Sequence, residues 1–245
     1  MNVLILGANS DIAKATAKAL ACKYPTLQLT LASRKMETLQ HQATSLMKQF
    51  NVKTTTCVFD ADDFDSHLNF YHHLTEKPDI VICAFGQMNK EPDSELSLAD
   101  TQHIINRNFA GAVNILQIIA KDMSQRQHGC IVGISSVAGD RGRASNGIYC
   151  AAKAGFTAYL SSLRNRLHKD HVHVLTVLPG IISTKMTEHT AYPRFLFASA
   201  ETVANNIVRA ISRKRNVIYT PWIWRWLMLI IKWIPEFVFK RLLTR

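Results

Sequence analysis

The sequence is short of glycine, of acid and of paired cysteine. Ten glycines and seven prolines in 245 residues exclude collagen-like and low-complexity chains. The five cysteines (Cys22, Cys57, Cys83, Cys130, Cys150) form no C-x-x-C pair and leave one over. That pattern argues against a disulfide framework and fits small buried apolar side chains in a reducing compartment. The ten histidines show no metal-ligand spacing; His72, His73, His171 and His173 read as surface or strand-edge residues, and no metal is expected. The opening Met-Asn-Val-Leu-Ile-Leu-Gly lacks the basic region and cleavage pattern of a secretion signal. Acids number 18 against 29 Lys plus Arg, a net charge of +11. Residues 213–245 hold eight basic residues and one acid, Glu236, so this segment alone carries +7. A basic excess so local suits an anionic surface and speaks against a nucleic-acid groove.

Apolar residues make up 47% of the chain, enough to bury a full core. Runs rich in β-branched residues at 3–6, 27–32, 52–59, 79–84, 130–134, 172–178 and 217–220 read as strands. Between them, 12–24, 35–50, 64–74, 98–123, 149–167 and 203–211 read as helices. In the longest of these, Ile104, Ile105, Phe109, Val113, Leu116 and Ile119 are expected along one side. Strands separated by helical crossovers give a parallel sheet covered on both faces. The expected architecture is therefore one doubly wound α/β domain over 1–220, its seven-stranded parallel sheet followed by an amphipathic helical extension over 221–245.

Ligands of such sheets lie at the carboxyl ends of the strands. The first strand–helix turn reads Gly7-Ala8-Asn9-Ser10-Asp11-Ile12. Gly7 can turn tightly out of the strand, and Ser10 or Asp11 can cap a helix whose free N–H groups favour a phosphate. Ser33, Arg34 and Lys35 follow the second strand, where the adenosine ribose of a dinucleotide would lie. Cations there suit a 2′-phosphate, so NADPH is preferred over NADH. Asp60 after the third strand and Ala84, Phe85 and Gly86 after the fourth complete an adenine and ribose wall.

The most specific signal is Ser136 after the fifth strand with Tyr149 and Lys153 opening the next helix. A four-residue spacing stacks Tyr149 and Lys153 on one face, where the ammonium is expected to lower the phenol's pKa from its usual ~10. Such a Tyr can exchange a proton with a substrate oxygen that the Ser136 hydroxyl holds.

With Pro179-Gly180 downstream, these motifs resemble the short-chain dehydrogenase/reductase family, a Rossmann-type fold, over essentially residues 1–220. The resemblance implies a relay of Asn108, Ser136, Tyr149 and Lys153, with Asn108 anchoring a water. It also implies a nicotinamide-facing segment through Pro179, Gly180, Ile182 and Thr184, and a homodimer or homotetramer built on helices 98–123 and 149–167. Two departures stand out. Asp11 and Ala13 replace the second and third glycines of the family turn, and Cys83-Ala84-Phe85-Gly86 replaces the usual Asn-Asn-Ala-Gly.

A narrower likeness runs through Ile82–Gly86, Ser135–Arg141, Ser145-Asn146 and the tail Ile234–Leu242. It is to the branch that reduces decaprenylphosphoryl-2-keto-erythro-pentose, and it implies a lipid-linked keto-sugar substrate and a flavin-dependent epimerase-type oxidase as functional companion. Reduction of a fatty-acyl, steroid or retinoid carbonyl is the alternative within the class. A catalytically silent dinucleotide-binding scaffold at a membrane is the alternative outside it.

The tail holds all four tryptophans of the protein, at 222, 224, 226 and 233. Its longest uncharged run, 226–231, has six residues, against the ~20 a spanning helix needs. Tryptophan with Arg225 and Lys232 on a helix fits a segment lying at lipid headgroups, and packing on the body of the domain is the other reading. The expected location is the cytoplasm, peripheral to the inner face of an anionic membrane.

Overall fold

The computed structural model describes residues 1–88, 93–183 and 193–242. Among these, seven strands form one parallel sheet in the order β3-β2-β1-β4-β5-β6-β9. The strands are β1 (Asn2–Leu6), β2 (Gln28–Ser33), β3 (Lys53–Val58), β4 (Ile80–Cys83), β5 (Gly129–Ile134), β6 (Val172–Pro179) and β9 (Val217–Thr220). A two-stranded ribbon pairs β7 (Ile181–Ile182) with β8 (Phe197–Ala198) beyond the end of β6.

Alternation along each strand divides the core into two layers, because successive side chains leave opposite faces. Val3 and Ile5 of β1 join one layer, with Ile80 and Ile82 of β4 and Val132 of β5. Leu4 and Leu6 join the other, with Val81, Cys83 and Ile131. Helices α1 (Asp11–Lys23), α2 (Met36–Phe50) and α7 (Ala200–Ser212) cover the first layer. Helices α3 (Ser66–His72), α5 (Gly111–Arg126) and α6 (Gly147–Leu167) cover the second. Local chemistry sets the helix starts. Ser10 caps α1 by accepting from Ala13 N at 3.2 Å, and Ser199 caps α7. Ser97 and Asp100 form a reciprocal capping box at the start of α4 (Leu98–Ile105).

The expected continuous helix over 98–123 is interrupted. Between α4 and α5 the chain takes a π turn over Asn106–Ala110. The inserted residue shifts the register of the apolar stripe: Ile104, Leu116 and Ile119 are buried, but Ile105 is 39% exposed. Such single π turns occur frequently at functional sites, and this one contains Asn108.

The tail forms α8 (Ile223–Trp233) and α9 (Glu236–Leu242). The inner face of α8 packs on the body: Trp224 and Met228 are buried with Val137 and Leu178. Trp224 Nε1 donates to the Leu196 carbonyl at 2.9 Å. A Cβ on Gly180 would fall 1.9 Å from that same indole nitrogen, so only glycine lets the tryptophan seat at the end of β6. Arg141 clamps the end of α8, donating to the carbonyls of Ile231 and Ile234 and pairing with Glu236 at 3.0 Å. Its guanidinium also lies 3.7 Å from the Phe239 ring centre.

Candidate active site

The site opens at the carboxyl ends of the strands. Gly7 leaves β1 at φ +77°, and its N–H and that of Ala8 both bond the Ala32 carbonyl, at 2.8 and 3.1 Å. A side chain at Gly7 would meet the Phe85 backbone at 2.6 Å, so this turn and the end of β4 must lie flush. Beside them is a cleft of about 280 Å³, lined by Gly7, Asn9, Ser10, Ser33, Arg34, Phe59, Asp60, Ala61, Ala84, Phe85, Gly86, Gln87 and Arg107. Of the residues assigned to the adenosine end from sequence, Asp11, Ile12 and Lys35 do not line it. Asp11 is exposed in the first turn of α1, where its charge complements the helix dipole. Ile12 packs against the core, and Lys35 offers only its carbonyl, to Asn9 Nδ2 at 3.3 Å.

The cleft's polar groups fit an adenine dinucleotide. Asn9 donates to Ser33 Oγ at 3.1 Å while its own Oδ1 is buried with no partner, an acceptor that a ligand donor would satisfy. Two arginines line the walls, in different states. Arg107 is buried and committed to Asp62 and Gln87. Arg34 is exposed and makes no ion pair among the described residues. Behind Phe59, the buried His67 donates through Nε2 to the Asp60 carbonyl at 2.9 Å and stacks on the Phe59 ring at 4.9 Å. Its Nδ1 accepts from Asn114 Nδ2, which fixes the neutral tautomer, and burial lowers the imidazole pKa.

At the other end of the site, β5 delivers Ser135 and Ser136. Ser135 bonds the Lys153 carbonyl at 3.0 Å and Thr157 Oγ1 at 2.7 Å, tying the strand end to α6. Ser136 Oγ accepts from Ala138 N at 3.1 Å and faces the Tyr149 phenol. The start of α6 is held by Asp93, whose carboxylate accepts from Ile148 N at 2.9 Å. Lys153 is buried, its Nζ donating to the Ile134 carbonyl at 3.2 Å and standing 5.8 Å from the Tyr149 ring centre. Asn108 is gripped on both sides: Nδ2 donates to the carbonyls of Gln87 and Ile104 at 2.7 and 2.9 Å, and Oδ1 accepts from Gln87 N at 3.1 Å. A Cβ on Gly86 would sit 2.8 Å from Asn108 Oδ1 and 3.1 Å from Lys153 Nζ. The fourth-strand turn, the π turn and α6 therefore meet at one point.

The electrostatics correct the expectation drawn from the four-residue spacing. Burial pushes the Tyr149 pKa up to about 12, outweighing the opposing pull of the Ser136 hydroxyl. Burial also pushes Lys153 down to about 8, partly countered by Cys83. The ammonium is held toward Ile134 and is itself poorly solvated, so it does not bring the phenol down. At neutral pH the Tyr149 phenol therefore carries its proton.

Pro179 ends β6, and Gly180 and Ile182 follow it, with Gly180 N bonding the Thr220 carbonyl at 3.0 Å. Thr184 lies outside the described residues. No group of His, Cys, Asp or Glu suited to a metal occurs among the described residues. A separate hollow of about 770 Å³, lined by residues that include Tyr71, Gln117, Asp122 and Arg166, shares no residue with this cleft. Sequence reasoning missed Arg107, Asp62, Gln87, His67 and Asp93. Only the helical Asn106–Ala110 segment gave any sign, through Asn108 beside Arg107.

Comparison with known proteins agrees with this architecture. The profile described as short chain dehydrogenase matches residues 1–193. An uncharacterised oxidoreductase of Mycobacterium tuberculosis is 30% identical over 243 residues, covering 98% of this chain and 96% of the relative. A ketoacyl reductase of Nostoc is 29% identical, covering 88% and 77% of the two chains. Among solved structures, a short-chain dehydrogenase from Sphingobium yanoikuyae in complex with NADPH superposes with a TM-score of 0.81 at 21% identity, covering 96% of each chain. With the family profile spanning most of the chain and a relative matched end to end, the protein belongs to the short-chain dehydrogenase family and is an oxidoreductase.

Proposed function

We propose that this enzyme reduces a ketone to a secondary alcohol with NADPH. The observation that carries the reading is the Tyr149 phenol facing the Ser136 hydroxyl, with Lys153 and Asn108 meeting behind it at Gly86. Bound along the cleft, the nicotinamide nucleotide supplies the hydride. Gly7, Asn9, Ser10, Ser33 and Arg34 would hold its adenosine end, and Asp60, Ala84, Phe85 and Gly86 would wall it. Lys153, Pro179, Gly180 and Ile182 would face the nicotinamide end. The free guanidinium of Arg34 favours a 2′-phosphate, since Arg107 is already neutralised by Asp62.

Ser136 holds the carbonyl oxygen, and Tyr149 gives it the phenolic proton as negative charge develops there. Lys153 would hold the nicotinamide ribose from the Ile134 side of the site. Asn108, locked by Gln87 and Ile104, keeps Lys153 and the Gly86 turn in register. A phenol pKa raised to about 12 leaves Tyr149 protonated at neutral pH, the form that reduction of a ketone requires. Tyr149→Phe should retain NADPH binding and lose turnover by roughly 10²–10⁴. Near-normal turnover would overturn the assignment.

For the substrate we assign a lipid-linked ketone, with a polyprenylphosphoryl keto-sugar as the first choice. Support comes from the apolar tail seated beside the turn that follows Ser136, along which a substrate chain could lie. A fatty-acyl ketone is the second reading, favoured by similarity to the Nostoc ketoacyl reductase. Either substrate suits an enzyme peripheral to the cytoplasmic face of a membrane. NADPH oxidation rates with a polyprenyl-phosphate ketose, a β-ketoacyl thioester and a short soluble ketone separate the two; equal rates on all three would remove the lipid assignment.

A further inference from the structure

The outer face of the C-terminal helices is left over once the active site is accounted for. Packing consumes Trp224 and Met228, but Trp222, Trp226, Ile230, Trp233 and Phe237 are 70, 55, 64, 80 and 63% exposed. From the N-cap Trp222 along α8, positions 222, 226, 230 and 233 recur at helical spacing, so they form one stripe opposite the buried face. A contiguous aromatic and aliphatic stripe of this kind marks an interaction surface.

The surroundings of the stripe say what covers it. Trp222 is shared by two shallow grooves along the outer edge of β9, of about 390 and 370 Å³. One is lined by Arg215 and Arg225, the other by Arg209, Arg213 and Arg215. No carboxylate lines either groove, and none of these four arginines makes an ion pair among the described residues. Cations without a carboxylate partner thus border a tryptophan-rich apolar face, Arg225 lying 5.9 Å from the Trp226 ring centre. A second copy of the chain is a poor partner by symmetry, because an isologous contact would bring these arginines toward each other. No helix among the described residues is long and apolar enough to cross a membrane.

We infer that this face docks on an anionic phospholipid bilayer, with Trp222, Trp226, Ile230, Trp233 and Phe237 entering the headgroup–acyl boundary and Arg209, Arg213, Arg215 and Arg225 meeting lipid phosphates. The inner side of α8 rests on Val137, and Arg141 of the same segment clamps its end. Docking therefore sets the bilayer alongside the turn that follows Ser136. The inference stands on surface chemistry and does not depend on the ketoreductase reading.

The protein carries its own probe, since all four tryptophans lie in this segment and only Trp224 is buried. The full chain is mixed with phosphatidylcholine vesicles, with and without phosphatidylglycerol, at low and physiological salt. Docking predicts a blue shift of tryptophan emission and co-sedimentation with the anionic vesicles only, weakened by salt. Trp226→Glu/Ile230→Glu should abolish both while leaving the circular dichroism spectrum unchanged. Arg213→Ala and Arg215→Ala should each weaken partitioning about fivefold. Should the double variant fold poorly, Trp233→Glu, at the most exposed position, replaces it, and unchanged partitioning by that variant overturns the inference. No shift and no sedimentation of the intact chain at low salt overturns it. So does a solution dimer that Trp226→Glu/Ile230→Glu dissociates and vesicles do not compete with.

Discussion

The two ends of the active-site cleft solve opposite problems with similar groups. At the adenosine end the useful cation, Arg34, is exposed and uncommitted, whereas the buried Arg107 is spent on Asp62 and Gln87. At the ketone end the cation is buried: Lys153 is bonded to Ile134 and driven down to about 8. Exposure preserves a charge for recognition of a ligand phosphate. Burial places a charge near its threshold, where proton movement costs least. On the proposed reading, the same basic chemistry serves affinity at one end and catalysis at the other.

The largest effect expected from breaking this contrast is at the buried end. Lys153→Met should reduce turnover roughly 10²–10⁴-fold, the range of a lost acid–base partner, with NADPH oxidation as the readout. Trp224→Ala tests whether the tail supports that end from outside. Removing the side chain should cost about 3–5 kcal/mol in chemical denaturation. If turnover of the folded variant also falls, the tail shapes the ketone end as well as bracing it. Arg34→Asp breaks the exposed end alone. It should shift preference from NADPH toward NADH by about 10–100-fold in kcat/KM, the scale of one charge-assisted contact, with turnover at saturation kept.

The pH dependence sharpens the contrast. Below about 8 Lys153 is an ammonium and Tyr149 is protonated, so kcat/KM for reduction should be level there and fall as pH rises past 8. A limb appearing only near 12 would assign the control to Tyr149 instead. The smallest effect is expected at Asp11. Asp11→Asn removes an exposed acid from the first turn of α1, costing the helix about 0.3–1 kcal/mol while tightening NADPH binding by a few-fold.

Much of this layout was legible in the sequence, and the parts that were not share a cause. Apolar runs located the strands to within a residue or two, because β1, β4 and β5 bury both faces and β6 does so with only His173 and Thr176 breaking its run. The spacing of Ser136, Tyr149 and Lys153 was readable because one strand end and one helical turn carry them. The direction of the Tyr149 shift was not, since it depends on burial contributed by the whole fold. Nor was the partnership of Arg107 with Asp62, 45 residues apart, or the π turn that rotates Asn108 inward. In the tail, periodicity marked an amphipathic helix, but which tryptophan would be swallowed was decided by the gap over Gly180.

The Arg141 clamp has a kinetic consequence. It joins positions 90 and 93 residues apart, so its closure yields nothing until β5, β6 and β9 are already aligned. Contacts of such long sequence separation carry their loop-closure entropy into folding and form late. Late formation predicts that the amides of α8 exchange with solvent through a local opening below the global unfolding free energy.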